Sequence, residues 1–277
     1  MPSWKYLLPL VSVCPPPGYR LIQSFNLDDI GVLLDRPKAT VRMTRTLVLG
    51  EAELASQGDV LAFDDRRCAS AAARFEIDAP AEDRWREGTP LAYLETHIAI
   101  EGEGEFSGQF PPDFYTIYAG PERKSFFSDN ALKYGNTTTI HQMQAFGAWV
   151  EGYPTCMVDR ARDIDESVVL INPFLRPAVV DLTLEGIDGK KRFKIDAQAG
   201  RRISLAEAFE IGSPPWFGQV YVSGPNRVVM YVAKHSAADP AHVTTLEHSN
   251  PYRGEPTHIP VTRLLRRKIG TALGVGR

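Results

Sequence analysis

Histidines are the first residues to weigh for chemistry, and four of the six fall late, at His235, His242, His248 and His258. His242 and His248 are an even number of positions apart, so on a strand they share a face. With His235 they make three donors that could hold zinc in a metal-dependent enzyme. The tight spacings of zinc motifs and the His-x-His pair of cupin-type barrels are absent, and polar turn residues near a sheet edge are the simpler reading. His97 and His141 stand alone. His97 falls beside Glu95 on the more polar face of its strand, which favours a solvated or satisfied histidine over a catalytic one.

Carboxylates cluster at Asp159, Asp163, Asp165 and Glu166. A glycosidase needs two carboxylates placed across a sugar ring. Nothing fixes such a pair here, and the interleaved Arg160 and Arg162 suggest a salt-bridged loop. The run Glu101-Gly102-Glu103-Gly104-Glu105 lacks the ligand spacing of a calcium loop and reads as a solvated turn. No Gly-x-Ser-x-Gly elbow or phosphate-cradling glycine loop occurs. Cys156, with His141 upstream, is a thiol candidate, although a cysteine entering a strand is more often inert packing. The aromatics Trp149, Tyr153, Trp216, Phe217 and Tyr221 lie near turns. Such residues at a sandwich edge bind carbohydrate or a protein partner, or else fill the ends of the core.

The chain of 277 residues is long enough for one large or two medium domains. Its apolar content of 43% and charged content of 23% are ordinary for a globular protein, and a net charge of −3 gives no attraction to nucleic acid. Three scattered cysteines argue against a disulfide framework and suit a reducing, cytoplasmic setting. No run approaches the roughly 20 apolar residues of a membrane span. The N-terminal run through Val11 is broken by Pro9 and followed by Cys14-Pro15-Pro16-Pro17, which reads as a short edge strand rather than a signal peptide.

The elements that must position these residues are mostly strands. Val41–Leu49 alternates, with Val41, Met43, Arg45, Leu47 and Leu49 on one face and Arg45 its flaw. Leu94, Thr96, Ile98 and Ile100 form the core face of another strand. Glu51–Ala55 suggests a helical turn, and Ser125–Thr138 a long loop. Val168–Ile171, Ala178–Leu184 and Arg192–Ala197 are short β-rich runs, the last two separated by a turn at Asp188-Gly189-Lys190. Val228–Lys234 is a strand, and His242–His248 one more. Phe75–Ala81 matches Phe193–Ala199. Pro111 to Arg123 matches Pro214 to Arg227, with Gly120-Pro121 answering Gly224-Pro225. The matches keep their order, which favours two similar β domains.

Glu166–Asn172, Val180–Leu184, Ala197 with Arg201-Arg202, and Val228–Ser236 resemble the sensory rhodopsin transducer family of small β-sandwich proteins. The resemblance covers the second half only. It implies a sandwich that assembles into oligomers and binds partners without doing chemistry.

The expected fold is all-β. It comprises an N-terminal strand segment (1–18), two tandem antiparallel β-sandwiches (19–138 and 139–258), and a basic C-terminal tail (259–277) holding a short helix. Between Val261 and Arg277 lie five basic residues and no acidic one, so the remaining chain sums to about −8. Arg263, Leu264, Leu265, Arg266, Arg267 and Lys268 are the expected docking residues of that tail. The leading expectation is a non-enzymatic, cofactor-free binding or assembly protein with a protein partner or itself as partner. The alternatives are a carbohydrate-binding module or carbohydrate-active enzyme, and an enzyme using metal at the late histidines.

Overall fold

A computed structural model describes residues 3–25, 39–50, 52–62, 73–78, 85–103, 114–121, 125–129, 150–152, 154–224 and 228–249. The strands of the first half are β1 (Ser3–Val13), β2 (Arg20–Phe25), β3 (Ala39–Leu49), β4 (Ala52–Ala62), β5 (Ala73–Asp78), β6 (Tyr93–Glu103), β7 (Phe114–Ala119) and β8 (Ser125–Asp129). Those of the second half are β9 (Val150–Gly152), β10 (Thr155–Val158), β11 (Asp165–Asn172), β12 (Ala178–Leu184), β13 (Ile187–Ile195), β14 (Ala199–Ser204), β15 (Trp216–Gly224), β16 (Val229–His235) and β17 (Val243–Ser249). One turn of helix, α1 (Leu205–Ala208), follows β14.

The strands form four antiparallel sheets, and the all-β expectation holds. Sheet I has the order β1-β6-β3-β4 and sheet II the order β5-β2-β7-β8. Sheet III is β14-β11-β16-β17, and sheet IV is β10-β15-β12-β13 with β9 also pairing β15. Some relations recur between the halves. β1 pairs β6 as β11 pairs β14. β2 lies between β5 and β7 as β12 lies between β13 and β15. The β3–β4 hairpin, attached to β6, has no counterpart on β14, which is an edge.

Sequence explains the faces directly. Along β12, Ala178, Val180, Leu182 and Leu184 are buried while the residues between them are half-exposed. This is the alternation of a sheet with one wet face. β11 differs, because Val168, Val169, Leu170 and Ile171 are all fully buried. Val168 and Leu170 pack with Val180, Leu182, Ile203 and Val222 of the second half. Val169 and Ile171 pack with Val13, Leu21, Trp85, Tyr93 and Tyr118 of the first. β16 divides likewise, Met230 facing one core and Tyr231 and Ala233 the other. Sheet III is therefore a central layer with a core on each side.

Polar contacts seal the same junction. Tyr231 Oη donates to the Val11 carbonyl at 2.6 Å, and Tyr19 Oη to the Val243 carbonyl at 2.9 Å. Leu91 and Gly200 exchange backbone hydrogen bonds of 2.7 and 2.6 Å. A Cβ on Gly200 would sit 3.1 Å from the Leu91 carbonyl oxygen, so the close approach suits a residue without one. β8 runs beside β17.

Several local expectations change. Glu51–Ala55 does not form a helical turn, since β4 runs through Ala52–Ala62 and pairs with β3 along its length. Residues 125–129 are a strand, not loop. The β12–β13 hairpin turns at Glu185-Gly186, with Gly186 at a φ of +73°, and Asp188-Gly189-Lys190 lies inside β13. The N-terminal strand is an edge, as Pro9 requires, but at 11 residues it is long. Arg45, the flaw in its face, is buried opposite Thr96. The C-terminal helix and residues 263–268 lie outside the described residues.

Candidate functional site

The aromatic candidates separate by strand parity. On β15, Trp216, Val220 and Val222 face inward with Gly218, and Phe217, Gln219 and Tyr221 face out. Trp216 is thus a core residue, its Nε1 donating to the Glu185 carbonyl at 2.9 Å, and is not part of an exposed site. Phe217 is 72% exposed and Tyr221 36%. Across the sheet Phe217 sits opposite Met157, and Tyr221 opposite Thr183. Four residues of strand separate the pair by about 13 Å. The same outer face carries Asp181, which accepts from Arg192 at 2.7 and 3.0 Å and pairs with Lys190 at 3.2 Å. Those cations hold the Asp181 carboxyl below its usual range, the Arg192 hydrogen bond first among the causes. Trp149 and Tyr153 lie outside the described residues.

His235 is 2% exposed at the end of β16. Its Nδ1 lies 2.9 Å from the Ser236 carbonyl, which can only accept, so Nδ1 carries the proton. Nε2 is then the bare nitrogen, 2.7 Å from Ser167 Oγ and 3.2 Å from Arg202 Nη1. Burial is the main reason that the imidazole is pushed below its usual pKa, with the Arg202 charge adding to it. Asp165 Oδ2 accepts from Ser204 Oγ at 2.9 Å and lies 4.0 Å from the same Nε2. Serine, histidine and aspartate thus meet, but not as a hydrolytic triad. A triad needs the acid on Nδ1, opposite the nucleophile, and an open face for substrate. Here both partners crowd one nitrogen in a closed interior. Arg202, 3% exposed, ties the group to the first half through Nε to the Trp85 carbonyl at 2.7 Å.

Of the late histidines, His258 lies outside the described residues, and His235 and His248 stand four register positions apart on neighbouring strands. His242 lies in the turn before β17, where a register shift intervenes, and His248 lies opposite Tyr231 on that strand. Among the described residues no group of three His, Cys, Asp or Glu side chains is placed to hold a metal ion. His97 is paired with Glu95 at 2.8 Å, the satisfied role expected of it, and that hydrogen bond raises its pKa.

The acidic loop is only partly salt-bridged. Asp159 caps a single 3-10 turn by accepting from the Arg162 backbone, with the Arg162 Nε 3.5 Å away. Asp163 instead reaches the β16–β17 turn, accepting from Ser236 Oγ at 2.9 and 2.8 Å and from the Ala238 backbone at 2.9 Å.

Glu166 faces a groove of about 480 Å³ lined by Pro154, Thr155, Val232, Lys234, Thr245 and Glu247. Burial pushes its carboxyl up, while the Met157 N–H, the Cys156 thiol and the Lys234 charge pull it back. Cys156 is 1% exposed and packs in the second-half core, and burial likewise raises its thiol, both as expected of a packing cysteine. Sequence reasoning missed Lys234 and Glu247, which read as ordinary strand polars. It also missed the Arg202–Ser167–His235 group, whose one local signal is a polar residue at each position of an otherwise apolar face.

No protein-family model, curated protein or solved structure matches this chain. No helix among the described residues is long and apolar enough to cross a membrane.

Proposed function

We propose that this chain is a non-enzymatic binding and assembly protein that associates with a second copy of itself through the outer face of sheet IV. The observation that carries this is Phe217, exposed at 72% on the same sheet face as Tyr221 and next to the four-residue edge strand β10. A large ring standing in water on a flat face gains by being covered. The charges farther along the same face, beyond Tyr221, are of both signs, Asp181 with Arg192 and Lys190, so two copies can meet on this face without a net repulsion. The recurring strand pairings support a reading of the two halves as a tandem repeat, with Gly120 after β7 and Gly224 at the end of β15 in equivalent places; Pro225 lies outside the described residues. The likeness to the transducer family points the same way, since β11, β12, β14 and β16 carry it. A cytoplasmic setting belongs with this reading.

The test is Phe217→Ser with Tyr221→Ser, followed by light scattering at micromolar concentration. The wild-type chain should be a dimer or larger and the double variant smaller, with unchanged circular dichroism. A wild-type monomer, or a variant of the same size, would sink the assignment. Carbohydrate is the other occupant such aromatics serve. The spacing of about 13 Å is too long for one sugar ring to touch both. Glycan binding by the wild type that the double variant loses would move the assignment to a carbohydrate-binding module.

A further inference from the structure

Sheet IV covers only part of the inner face of sheet III. Val168, Leu170 and Met230 are sealed beneath it, whereas Val232, Lys234 and Thr245 are half-buried and Glu247 is exposed. The pairing register fixes what this open strip presents. Glu166 stands directly opposite Lys234, and Lys234 directly opposite Thr245. One step along, Val232 stands opposite Glu247. Directly opposed side chains start about 5 Å apart at Cβ, and diagonal ones about 7–8 Å. A carboxylate, an ammonium and a second carboxylate therefore follow one another across three strands, over two strand spacings of about 10 Å. Pro154 and Val232 supply apolar wall, and Thr245, on the same face of β17 as Glu247, supplies a hydroxyl. The volume of about 480 Å³ lies in the range of small-molecule sites.

We propose that this groove binds a small zwitterion of net positive charge, the class to which a free basic amino acid belongs. The charge order decides among ligand types. A plain anion meets two carboxylates for one ammonium. A plain cation must pass Lys234, which stands between them. A neutral polyol gains nothing from the central charge. A basic amino acid matches all three side chains: from its α-carbon the carboxylate reaches Lys234 Nζ and the α-ammonium Glu166, while the side chain carries the second cation to Glu247 with its methylenes against Val232. The groove opens at the β10 edge of sheet IV, and the three charges it turns on, Glu166, Lys234 and Glu247, belong to sheet III, so variants at Phe217 and Tyr221 leave them in place and the two proposals stand or fall separately.

Isothermal titration of the full chain with L-lysine, L-glutamate, glucose and inorganic phosphate tests the assignment. L-lysine should bind and the other three should bind at least about tenfold more weakly, a difference of 1.4 kcal/mol. Lys234→Gln and Glu247→Gln should each weaken L-lysine at least about tenfold, while Lys234→Arg retains it. Circular dichroism checks that each variant is folded. If Lys234→Gln does not fold, Glu247→Gln carries the test, because its side chain is exposed. No heat with L-lysine up to about 10 mM, tighter binding of glucose, phosphate or L-glutamate, or binding that Glu247→Gln leaves unchanged would each overturn the proposal.

Discussion

Replacing Arg202 with methionine tests how the central layer is held. The methionine keeps the apolar stem and removes the guanidinium. Two charged hydrogen bonds go with it, Nε to the Trp85 carbonyl at 2.7 Å and Nη1 to Ser167 Oγ at 3.1 Å. A weaker interaction with Glu87 at 3.9 Å goes as well. Hydrogen bonds from a charged donor are worth about 1.5–3 kcal/mol each. Ser167 keeps His235 as partner, so the full loss falls on Trp85 and Glu87. Relief from burying a cation offsets part of this. The offset is incomplete, because the buried Trp85 carbonyl loses a charged donor and Glu87 a nearby cation, and breaking such a group from one side costs about 3–5 kcal/mol. The lower end, about 3 kcal/mol, is the expected loss. In a chain of this size each kcal/mol moves the melting temperature by about 2–4 °C, so Arg202→Met should melt about 6–12 °C lower. Thermal unfolding would be followed by far-ultraviolet circular dichroism and by tryptophan fluorescence, to which the buried Trp85 contributes. A melting temperature within about 2 °C of wild type would refute the reasoning, since it would equate the group with a surface site.

Two further outcomes follow from the same interior. Burial, with the Arg202 charge adding to it, holds His235 neutral against the opposing pull of the Ser236 carbonyl, Asp165 and Glu207, so its folded pKa lies below its unfolded value of about 6.5. Below that pH the unfolded chain takes up a proton that the folded chain refuses, so stability should fall as pH drops through about 6.5 and be insensitive to this group above it. Urea midpoints between about pH 8 and pH 5 should slope less in His235→Gln; an identical slope would remove His235 as the cause. Leu170→Ala and Ile171→Ala should each cost about 2–5 kcal/mol although they point to opposite faces of β11. A cost below about 0.5 kcal/mol at either position, as on a wet surface, would contradict two-sided burial.

The fold was legible where local pattern and long-range environment agree. β12 alternates in sequence and in burial, and its neighbours supply nothing that contradicts it. The unbroken Val168–Ile171 run already carried the mark of a strand buried on both faces. It did not say what lay on the second face, because Val13, Leu21 and Tyr93 stand far back in the chain. β4 was illegible for the opposite reason. Its Glu, Ala, Gln and Gly residues have weak strand preference, and the strand exists because β3 pairs with it from end to end. The aromatic candidates on β15 divided by parity, Trp216 inward and Phe217 and Tyr221 outward. Trp216 and Phe217 are adjacent, so one had to face inward, and nothing local chose which. The polar groups were harder still, since Arg202, Ser167 and His235 come from three strands, and a chain read in order offers no reason to set them side by side.

The two-faced sheet also constrains how ligand binding would register. Glu166, Lys234, Thr245 and Glu247 look into the groove from β11, β16 and β17. The reverse sides of the same strands present Val169, Tyr231, Ala233 and Leu246 to the first half. None of the three strands can leave its place without opening both cores. A ligand that binds only the folded groove therefore stabilises both layers against unfolding by the same mass-action amount, about 2.7 kcal/mol at one hundred times its dissociation constant. Probes in the two halves, such as Trp85 and Trp216, should then shift together on adding ligand. A shift confined to the second half would mean that the halves unfold separately, with sheet III keeping its place when the first half is gone.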